Sequence, residues 1–303
     1  MPIYAVIDVG TNSVKFHMGE RREDGSWVTI VDRAEVTRLG EGIAETGDIA
    51  PAAIARTVEA IAGMADEARS NRAAALVVVG TMGMRSARNS ADFITRVRER
   101  CGVTIEVIPG EDEARLAYLA AKAGLGLAEE HVIVFDTGGG STQFTFGHGA
   151  EVDEQFSLDI GAVRLTAQFG LDGPITREQL DEALAAIAGE LGRLDSVPSP
   201  DALVGMGGAI TNMTAVMLGL ALYDPEVVQG TVLSRAAVDR QIELYRSYDV
   251  EARRQIVGLQ PKRADVILAG ACVVRTVMDK LSRDDLAVSD RGLRHGVLIE
   301  RFA

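Results

Sequence analysis

One pattern occurs twice in the sequence and limits the possible folds more than any other feature. Residues 7–13 (IDVGTNS) and 135–141 (FDTGGGS) each contain an apolar residue, Asp, any residue, Gly, two further residues and Ser. The copies lie 128 residues apart, each between two strand-like apolar runs. A glycine turn between strands lets backbone amides converge on an anion, and Ser or Thr hydroxyls add donors. Two such hairpins facing each other across a cleft would hold a phosphate chain from both sides.

The segments around the two copies alternate between strand and helix patterns. The predicted strands are residues 4–9, 14–18, 27–32, 75–79, 103–108, 131–135, 143–147, 202–204 and 286–289. The predicted helices are residues 49–71, 91–101, 111–123, 163–169, 176–194 and 292–302, with a mostly helical stretch from 209 to about 281. Strands that alternate with helices indicate an α/β architecture.

A third glycine-rich turn, residues 205–208, joins a short predicted strand to a helix, whose N-terminus could bind an anion. The repeated aspartates, Asp8 and Asp136, end their strands and are placed to hold a cation or a water rather than the phosphate itself. The P-loop pattern GxxxxGK followed by Ser or Thr does not occur, and no GxGxxG follows a strand. The sequence therefore favours neither a P-loop nor a Rossmann site.

Composition excludes several classes of protein. The 44 acidic residues exceed the 31 basic ones, giving a net charge of −13, which argues against a nucleic-acid or membrane-surface binder. No apolar run approaches the roughly 20 residues of a membrane span, and the N-terminus lacks the features of a signal peptide. Two distant cysteines and four histidines without metal-ligand spacing indicate neither a disulfide framework nor a cysteine-based zinc site. We expect a cytoplasmic protein.

At these motifs the chain resembles the Ppx/GppA family of exopolyphosphatases and guanosine pentaphosphate phosphohydrolases, which belongs to the superfamily of actin, heat-shock chaperone ATPases and acetate and sugar kinases. The matching segments are residues 8–13, 80–85, 109–116, 136–142, 161–165, 205–208, 263–267 and 289–294. The resemblance implies the short, two-domain form: an α/β fold of two actin-like (ribonuclease H-like) domains about an interdomain cleft. Domain I would comprise residues 1–124 plus 286–303, and domain II residues 125–285.

The resemblance also implies hydrolysis of the terminal phosphoanhydride of inorganic polyphosphate, or of the 5′ phosphate of pppGpp, with Mg²⁺ or Mn²⁺. Glu113 matches the general base, Asp136 a metal- and water-linked acid, and Arg85 a substrate-contacting arginine. Gln143 would orient the water, and Asp8 would join Asp136 in holding the metal. The implied substrate-binding residues are Gly10, Thr11, Asn12, Ser13, Gly138, Gly139, Gly140, Ser141, Thr142, Gly207, Gly208 and Arg263.

Three residues depart from the family pattern. Gln143 stands where most members have Glu, although related nucleoside triphosphate diphosphohydrolases use a glutamine there to position water. Lys15 and His295 occupy motif edges where other residues are commoner. Because of Gln143, a non-catalytic sensor of polyphosphate or (p)ppGpp is one alternative to an enzyme of this family. A nucleotide phosphohydrolase or kinase of the same superfamily is another alternative.

Simpler explanations exist for single residues. Glu113 lies in the first turn of a predicted helix, where acids favour the helix dipole, and Arg85 could be a solvated loop arginine. Asp8 and Asp136 could cap the turns that follow them. Ala- and Leu-rich helices such as 181–194 are compatible with a homodimer and equally with ordinary core helices. The negative charge would repel a long polyanion, so the preferred chain length stays open.

Overall fold

Two β-sheets, one in each of two compact units, organise the chain. The computed structural model describes residues 1–127, 130–149 and 151–302. Unit 1 consists of Met1–Leu116 with Leu293–Ala303, and unit 2 of Ala117–Gly292. The sequence predicts domain limits at residues 124 and 286, which differ by several residues from the limits of these units. The predicted domain limits remain a prediction. The predicted α/β class is confirmed, because helices connect the strands in both units.

The bounds of most elements lie within a few residues of the predicted ones. The strands are β1 (Ile3–Val9), β2 (Ser13–Arg21), β3 (Trp27–Val36), β4 (Ala75–Gly80), β5 (Ile105–Val107), β6 (His131–Thr137), β7 (Thr142–His148), β8 (Glu151–Leu158), β9 (Ala202–Met206), β10 (Val232–Ser234) and β11 (Asp285–Val288). The helices are α1 (Ile43–Thr46), α2 (Pro51–Ser70), α3 (Met82–Ser86), α4 (Ser90–Cys101), α5 (Gly110–Leu125), α6 (Ala162–Phe169), α7 (Arg177–Glu190), α8 (Gly208–Leu218), α9 (Pro225–Val228), α10 (Arg235–Arg246), α11 (Val250–Arg253), α12 (Ile267–Lys280) and α13 (Leu293–Phe302).

The sheet of unit 1 has the strand order β3-β2-β1-β4-β5. The first three strands form an antiparallel meander, and β4 and β5 extend it in parallel with β1. Strand β1 is buried on both faces because Ile7 packs in one core with Ile61 of α2, and Val6 in another with Val297 of α13. This packing fixes the C-terminal end of β1, where Asp8 and the first loop lie.

The sheet of unit 2, β10-β11-β9-β6-β7-β8, repeats the central part of that topology. The β6–β7 hairpin corresponds to β1–β2, and β9 pairs in parallel with β6 as β4 pairs with β1. Phe135, Phe144 and Phe156 from three successive strands stack on one another. Helix α12, which is buried around most of its circumference, packs in the same core. The repeated sequence pattern thus corresponds to a repeated strand arrangement.

Two strands have no counterpart in the sequence-based prediction. Strand β8 carries five polar or acidic residues among eight and shows little apolar periodicity, so its place at the sheet edge depends on pairing with β7. Strand β10 has three residues and lies within the stretch predicted as mostly helical. Among the described residues, the structure contains no helix with the length and apolar character to cross a membrane.

Candidate functional site

Both copies of the repeated pattern form the same tight turn. The amide of Gly10 donates to the carbonyl oxygen of Ser13 at 3.0 Å, and the amide of Gly138 donates to that of Ser141 at 2.9 Å. A Cβ at Gly10 would come within 2.9 Å of the Ser13 oxygen, closer than a side chain tolerates, and one at Gly138 would make a tight contact of 3.3 Å with the Ser141 oxygen. The shared spacing in the sequence therefore reflects a shared backbone geometry.

In unit 1 the loop uses its carbonyl groups to attach itself to a neighbouring segment. The oxygen of Thr11 accepts from the amide of Gly40 at 2.8 Å, and that of Asn12 accepts from the amides of Thr37 and Arg38 at 3.1 and 2.9 Å. The amides of Thr11 and Asn12 donate to no residue that the structure describes. With its acceptors engaged and its donors left over, the loop is suited to an anion.

In unit 2 the loop repeats this division of donors and acceptors. The carbonyl oxygens of Gly138 and Gly139 accept from the amides of Ala162 and Val163, at the start of α6, at 3.0 and 2.9 Å. Within the described ranges, the amides of Gly139 and Gly140 have no acceptor. The loop is partly exposed, so these amides can reach a bound ligand.

Two side chains hold the second loop in place. The hydroxyl of Thr142, which is fully buried, donates to the carbonyl oxygen of Ile160 at 2.6 Å. The Nε2 of Gln143 donates to the hydroxyl oxygen of Ser141 at 2.7 Å. The structure therefore places Thr142 as a brace behind the loop, and it places Ser141 and Gln143 together at its side.

The residue opposite the repeated aspartate differs in charge between the two units. Strand register pairs Asp8 with Lys15 and Asp136 with Gln143. The ammonium of Lys15 lies 3.5 Å from the carboxylate of Asp8, whereas Gln143 is neutral and buried. The charge of Asp8 is thus compensated across the hairpin, whereas the register partner of Asp136 is a neutral amide.

Arg85 and Glu113, two residues with separate predicted roles, contact each other in unit 1. Arg85 Nη1 donates to the carbonyl oxygen of Ile108 at 2.8 Å, and its Nη2 donates to Glu113 Oε2 at 3.0 Å. The two side chains remain 27% and 18% exposed, so a ligand can reach both. Arg85 therefore fixes the orientation of the Glu113 carboxylate in addition to offering a positive charge.

The third glycine-rich turn lies beside Asp136 and Arg263. Gly207 has a φ of +92°, which favours glycine, and a Cβ there would overlap the Asp136 carboxylate. A Cβ on Gly208 would overlap the guanidinium of Arg263. Burial lowers the pKa of Arg263 from its ordinary value, and the neighbouring Tyr223 and then Asp136 oppose this effect. Because both residues of the turn are glycines, there is space for a cation beside Asp136 and for the Arg263 guanidinium next to it.

Asp136 is the predicted residue best suited to a divalent cation. Its carboxylate is half-buried, and Gly207 leaves space beside its Oδ1 atom. Carboxylate oxygens are the ligands that Mg²⁺ and Mn²⁺ prefer, so the residues fit such an ion. The Asp8 carboxylate is less available because it already faces Lys15. The described residues also contain two histidine-bearing groups with metal-ligand spacing: His17, Asp32 and His295; His131, His148 and Asp153.

Several contributors were missed by sequence reasoning. A Cβ on Gly40 would overlap the side chain of Thr11, and one on Gly161 would overlap Gly139. Gly161 stands in one of the matching motifs, which was a usable signal. No sequence pattern marked Gly40 or the edge strand β8 as part of the site. Ser157 of β8 lies 3.5 Å from the Gln143 amide. Gly40 and β8 both contribute only through contacts with other segments of the chain, which a local pattern does not reveal.

Comparison with known proteins is consistent with this arrangement. The model of the Ppx/GppA phosphatase family matches residues 20–302. Exopolyphosphatase 2 of Mycobacterium tuberculosis is 31% identical, and the match covers 97% of each chain. Guanosine-5′-triphosphate,3′-diphosphate pyrophosphatase of Photobacterium profundum is 28% identical over 100% of this chain and 60% of its own length.

A solved structure of similar fold covers the whole chain. The Ppx/GppA phosphatase of Aquifex aeolicus, in its type II variant, is 33% identical and superposes with a TM-score of 0.84, with 100% of both chains covered. The predicted fold class, an α/β fold of two actin-like domains, is thereby confirmed.

Proposed function

Because the chain belongs to the Ppx/GppA phosphatase family, we propose that it is a metal-dependent exopolyphosphatase, which hydrolyses the terminal phosphoanhydride of inorganic polyphosphate and releases orthophosphate. Polyphosphate is placed before pppGpp because the chain matches nearly the whole length of an exopolyphosphatase but only 60% of a pppGpp pyrophosphatase. The observation that carries the proposal is the pair of loops with engaged carbonyl groups and available amides.

Substrate binding would rest on these loops. Backbone amides of Thr11 and Asn12 in unit 1, and of Gly139 and Gly140 in unit 2, would donate to phosphate oxygens. Arg263 would add a guanidinium, which binds phosphate oxygens in a bidentate manner. These donors would bind phosphate groups and would not recognise a base or a sugar. Such a set of donors suits inorganic polyphosphate.

Catalysis would use Glu113 as the base that accepts a proton from the attacking water. Its carboxylate is held by Arg85 at 3.0 Å, which restricts its rotation before substrate binds. Arg85 has further guanidinium hydrogens to offer the substrate, and its positive charge favours the charge that develops on the phosphoryl oxygens. The pair would therefore combine proton transfer with electrostatic stabilisation.

Gln143 and Asp136 would have two further roles in the reaction. The amide of Gln143 is fixed by Ser141, so its carbonyl oxygen can accept a hydrogen bond from the attacking water and orient it. Asp136 would hold Mg²⁺ or Mn²⁺. When bound, this ion would neutralise charge on the phosphoryl group and leaving oxygen.

We propose short polyphosphates as the preferred substrates. The net charge of −13 would repel a long polyanion, while a short chain needs only the local donors of the loops. We also propose a cytoplasmic location, which is supported by two buried cysteines that are free thiols.

The proposal is tested by measuring orthophosphate release from long polyphosphate, tripolyphosphate, pppGpp and ATP, each with Mg²⁺, Mn²⁺ or a chelator. We expect metal-dependent release from both polyphosphates, faster from tripolyphosphate, and none with the chelator. Fastest release from pppGpp would reassign the substrate within the family.

Binding measurements on the same four ligands separate the enzyme from a sensor. Tight binding without phosphate release under any of these conditions would overturn the hydrolase proposal and identify a sensor. Phosphoryl transfer to an acetate or sugar acceptor would instead identify a kinase.

A further inference from the structure

The four histidines of the chain, which lie far apart in the sequence, form two pairs in the fold, each with an aspartate. His17 and His295 of unit 1 have ring centroids 4.4 Å apart, and His131 and His148 of unit 2 have centroids 5.5 Å apart. Each pair forms, with its aspartate, a group whose potential ligand atoms lie within 4.8 Å of one another. Neither group belongs to the proposed phosphohydrolase site.

The group in unit 2 lies at one end of the β6–β7 hairpin, opposite the end that carries the loop. Strand register places His131 directly across from His148, so their backbones are held in position by the sheet. Asp153 of the adjacent strand β8 approaches from the side, with its Oδ2 3.0 Å from His148 Nδ1. Three neighbouring strands thus contribute one ligand each.

The spacing of these atoms suits a tetrahedral ion. An ion with bonds of about 2.0–2.1 Å to nitrogen and oxygen holds its ligand atoms about 3.3 Å apart. The distance from Asp153 to His148 is close to this value, and an exposed His131 can approach by side-chain rotation alone. A water molecule can supply the fourth ligand of the ion, because the side chains of His148 and Asp153 are 44% and 47% exposed.

Local charge favours a cation at this group. Glu151 Oε2 lies 3.9 Å from His148 Nε2, and the carboxylate of Asp201 accepts from the backbone amide of His131 at 3.1 Å. These two carboxylates, with that of Asp153, therefore lie near this group: Glu151 and Asp153 face the His148 imidazole, and Asp201 contacts the His131 backbone. Imidazole with carboxylate is a ligand set that binds Zn²⁺ and its neighbours in the transition series far better than Mg²⁺.

The buried group of unit 1 has the opposite electrostatic character. Arg294 donates to both oxygens of Asp32, at 2.7 and 3.1 Å, so the carboxylate is already neutralised. A dication beside His17 and His295 would add its charge next to a guanidinium that is itself buried. This contrast singles out the exposed group.

We propose that His131, His148 and Asp153 form a transition-metal site of the Zn²⁺ type, distinct from the Mg²⁺ or Mn²⁺ position at Asp136. The bound ion would join β6, β7 and β8 at their outer ends. Strand β6 extends from His131 to Thr137, about 20 Å at the usual rise per residue, so the ion would not take part in phosphate chemistry. Its effect would be to stabilise the hairpin that carries the loop.

The test is a calorimetric titration of the whole chain with Zn²⁺. It is carried out in a large excess of Mg²⁺, which saturates sites for hard cations. We expect one Zn²⁺ per chain, with affinity reduced about tenfold or more in His131→Gln and in His148→Gln. Asp153→Asn should weaken binding as well. Asp181→Asn, an exposed acid on α7 without a neighbouring histidine ligand, is the matched control and should bind as the native chain does.

A second readout is the melting temperature of each variant with and without Zn²⁺. The native chain and Asp181→Asn should be stabilised by Zn²⁺, and the two histidine variants should be stabilised clearly less at the same Zn²⁺ concentration. Because the substituted side chains are partly exposed, the variants should fold, which far-UV circular dichroism without metal verifies. Equal Zn²⁺ affinity in native and His148→Gln proteins, or no Zn²⁺ binding beside Mg²⁺, would refute the site without bearing on phosphate release.

Discussion

Glu113, the proposed catalytic base, has its carboxylate positioned by its immediate neighbours. The Arg85 guanidinium, fixed by the carbonyl oxygen of Ile108, holds its carboxylate in one orientation. We expect Glu113→Gln to lower kcat for orthophosphate release by about 10²- to 10⁴-fold, because the amide cannot accept the proton of the water. Polyphosphate binding should be unchanged, since in the proposed function the two loops would supply most of the contacts.

Glu111→Gln is the control for this variant. Glu111 lies in the same first turn of α5, is exposed, and undergoes the same chemical change. Its kcat should equal that of the native chain. Similar losses in both variants would mean that the helix terminus, rather than proton transfer by Glu113, determines the rate.

Gln143 allows a test of charge at the second hairpin. It faces Asp136 across the strands, so Gln143→Glu places two carboxylates opposite each other. Each raises the pKa of the other, so the acidic limb of the activity profile should move to higher pH. The added charge should also lower the Mg²⁺ concentration needed for half-maximal activity several-fold. Gln168→Glu, on the exposed face of α6, should change neither property.

At the scale of elements, the glycine at the start of α8 leaves the space that the Arg263 guanidinium occupies. A Cβ on Gly208 would displace the Arg263 guanidinium, which is the flexible end of its side chain and can move at little cost in stability. Gly208→Ala should therefore raise KM by roughly 10- to 100-fold, the value of a charge-assisted hydrogen bond, with little change in the melting temperature. Steady-state kinetics and thermal unfolding measure the two effects.

Gly189→Ala provides the comparison. Gly189 lies in α7, where a Cβ would meet no atom within 4 Å. Alanine there should stabilise the helix by about 0.5–1 kcal/mol and leave KM unchanged. If Gly208→Ala instead lost stability and kept its KM, Arg263 would not contribute to binding.

At the scale of the whole molecule, the buried group around Asp32 makes folding sensitive to acid. Burial lowers the pKa of His295 to about 3, and the charge of Arg294 adds to this. Burial alone would raise the pKa of Asp32, but Arg294 and the two imidazoles outweigh it and hold that pKa well below its usual range. In the folded chain His295 is therefore neutral and Asp32 is ionised.

The direction of the pH dependence follows from these shifts. Between pH 6.5 and about 3 the unfolded chain binds a proton at His295 that the folded chain does not bind. The stabilisation is thus complete above pH 6.5 and is lost as the pH falls, by about 2 kcal/mol at pH 5. Urea unfolding followed by the fluorescence of Trp27, the single tryptophan and a residue of unit 1, measures the change.

Two variants distinguish this group from a general effect of pH. His295→Gln removes the titrating imidazole and should flatten the dependence between pH 7 and pH 5. His131→Gln, which changes an exposed histidine of unit 2, should keep the native slope at Trp27. An unchanged slope in His295→Gln would show that other residues cause the acid sensitivity.

The sequence by itself determined the α/β class, most element positions and the two repeated glycine turns. It could do so because these features are local: a glycine turn and the strands beside it are encoded within about ten residues. The family resemblance supplied roles for Glu113, Asp136 and Arg85, which remain predictions. Strand β8 was missed because its pairing, rather than its composition, makes it a strand.

The tertiary structure alone decided which groups act on one another. It paired Asp8 with Lys15 while leaving Asp136 opposite a neutral residue, and it joined Arg85 to Glu113 across 28 residues of chain. It also brought four scattered histidines into two groups of opposite electrostatic character. The physical reason is that hydrogen bonds and charge interactions act over a few ångströms, and only the packing of distant segments sets those distances.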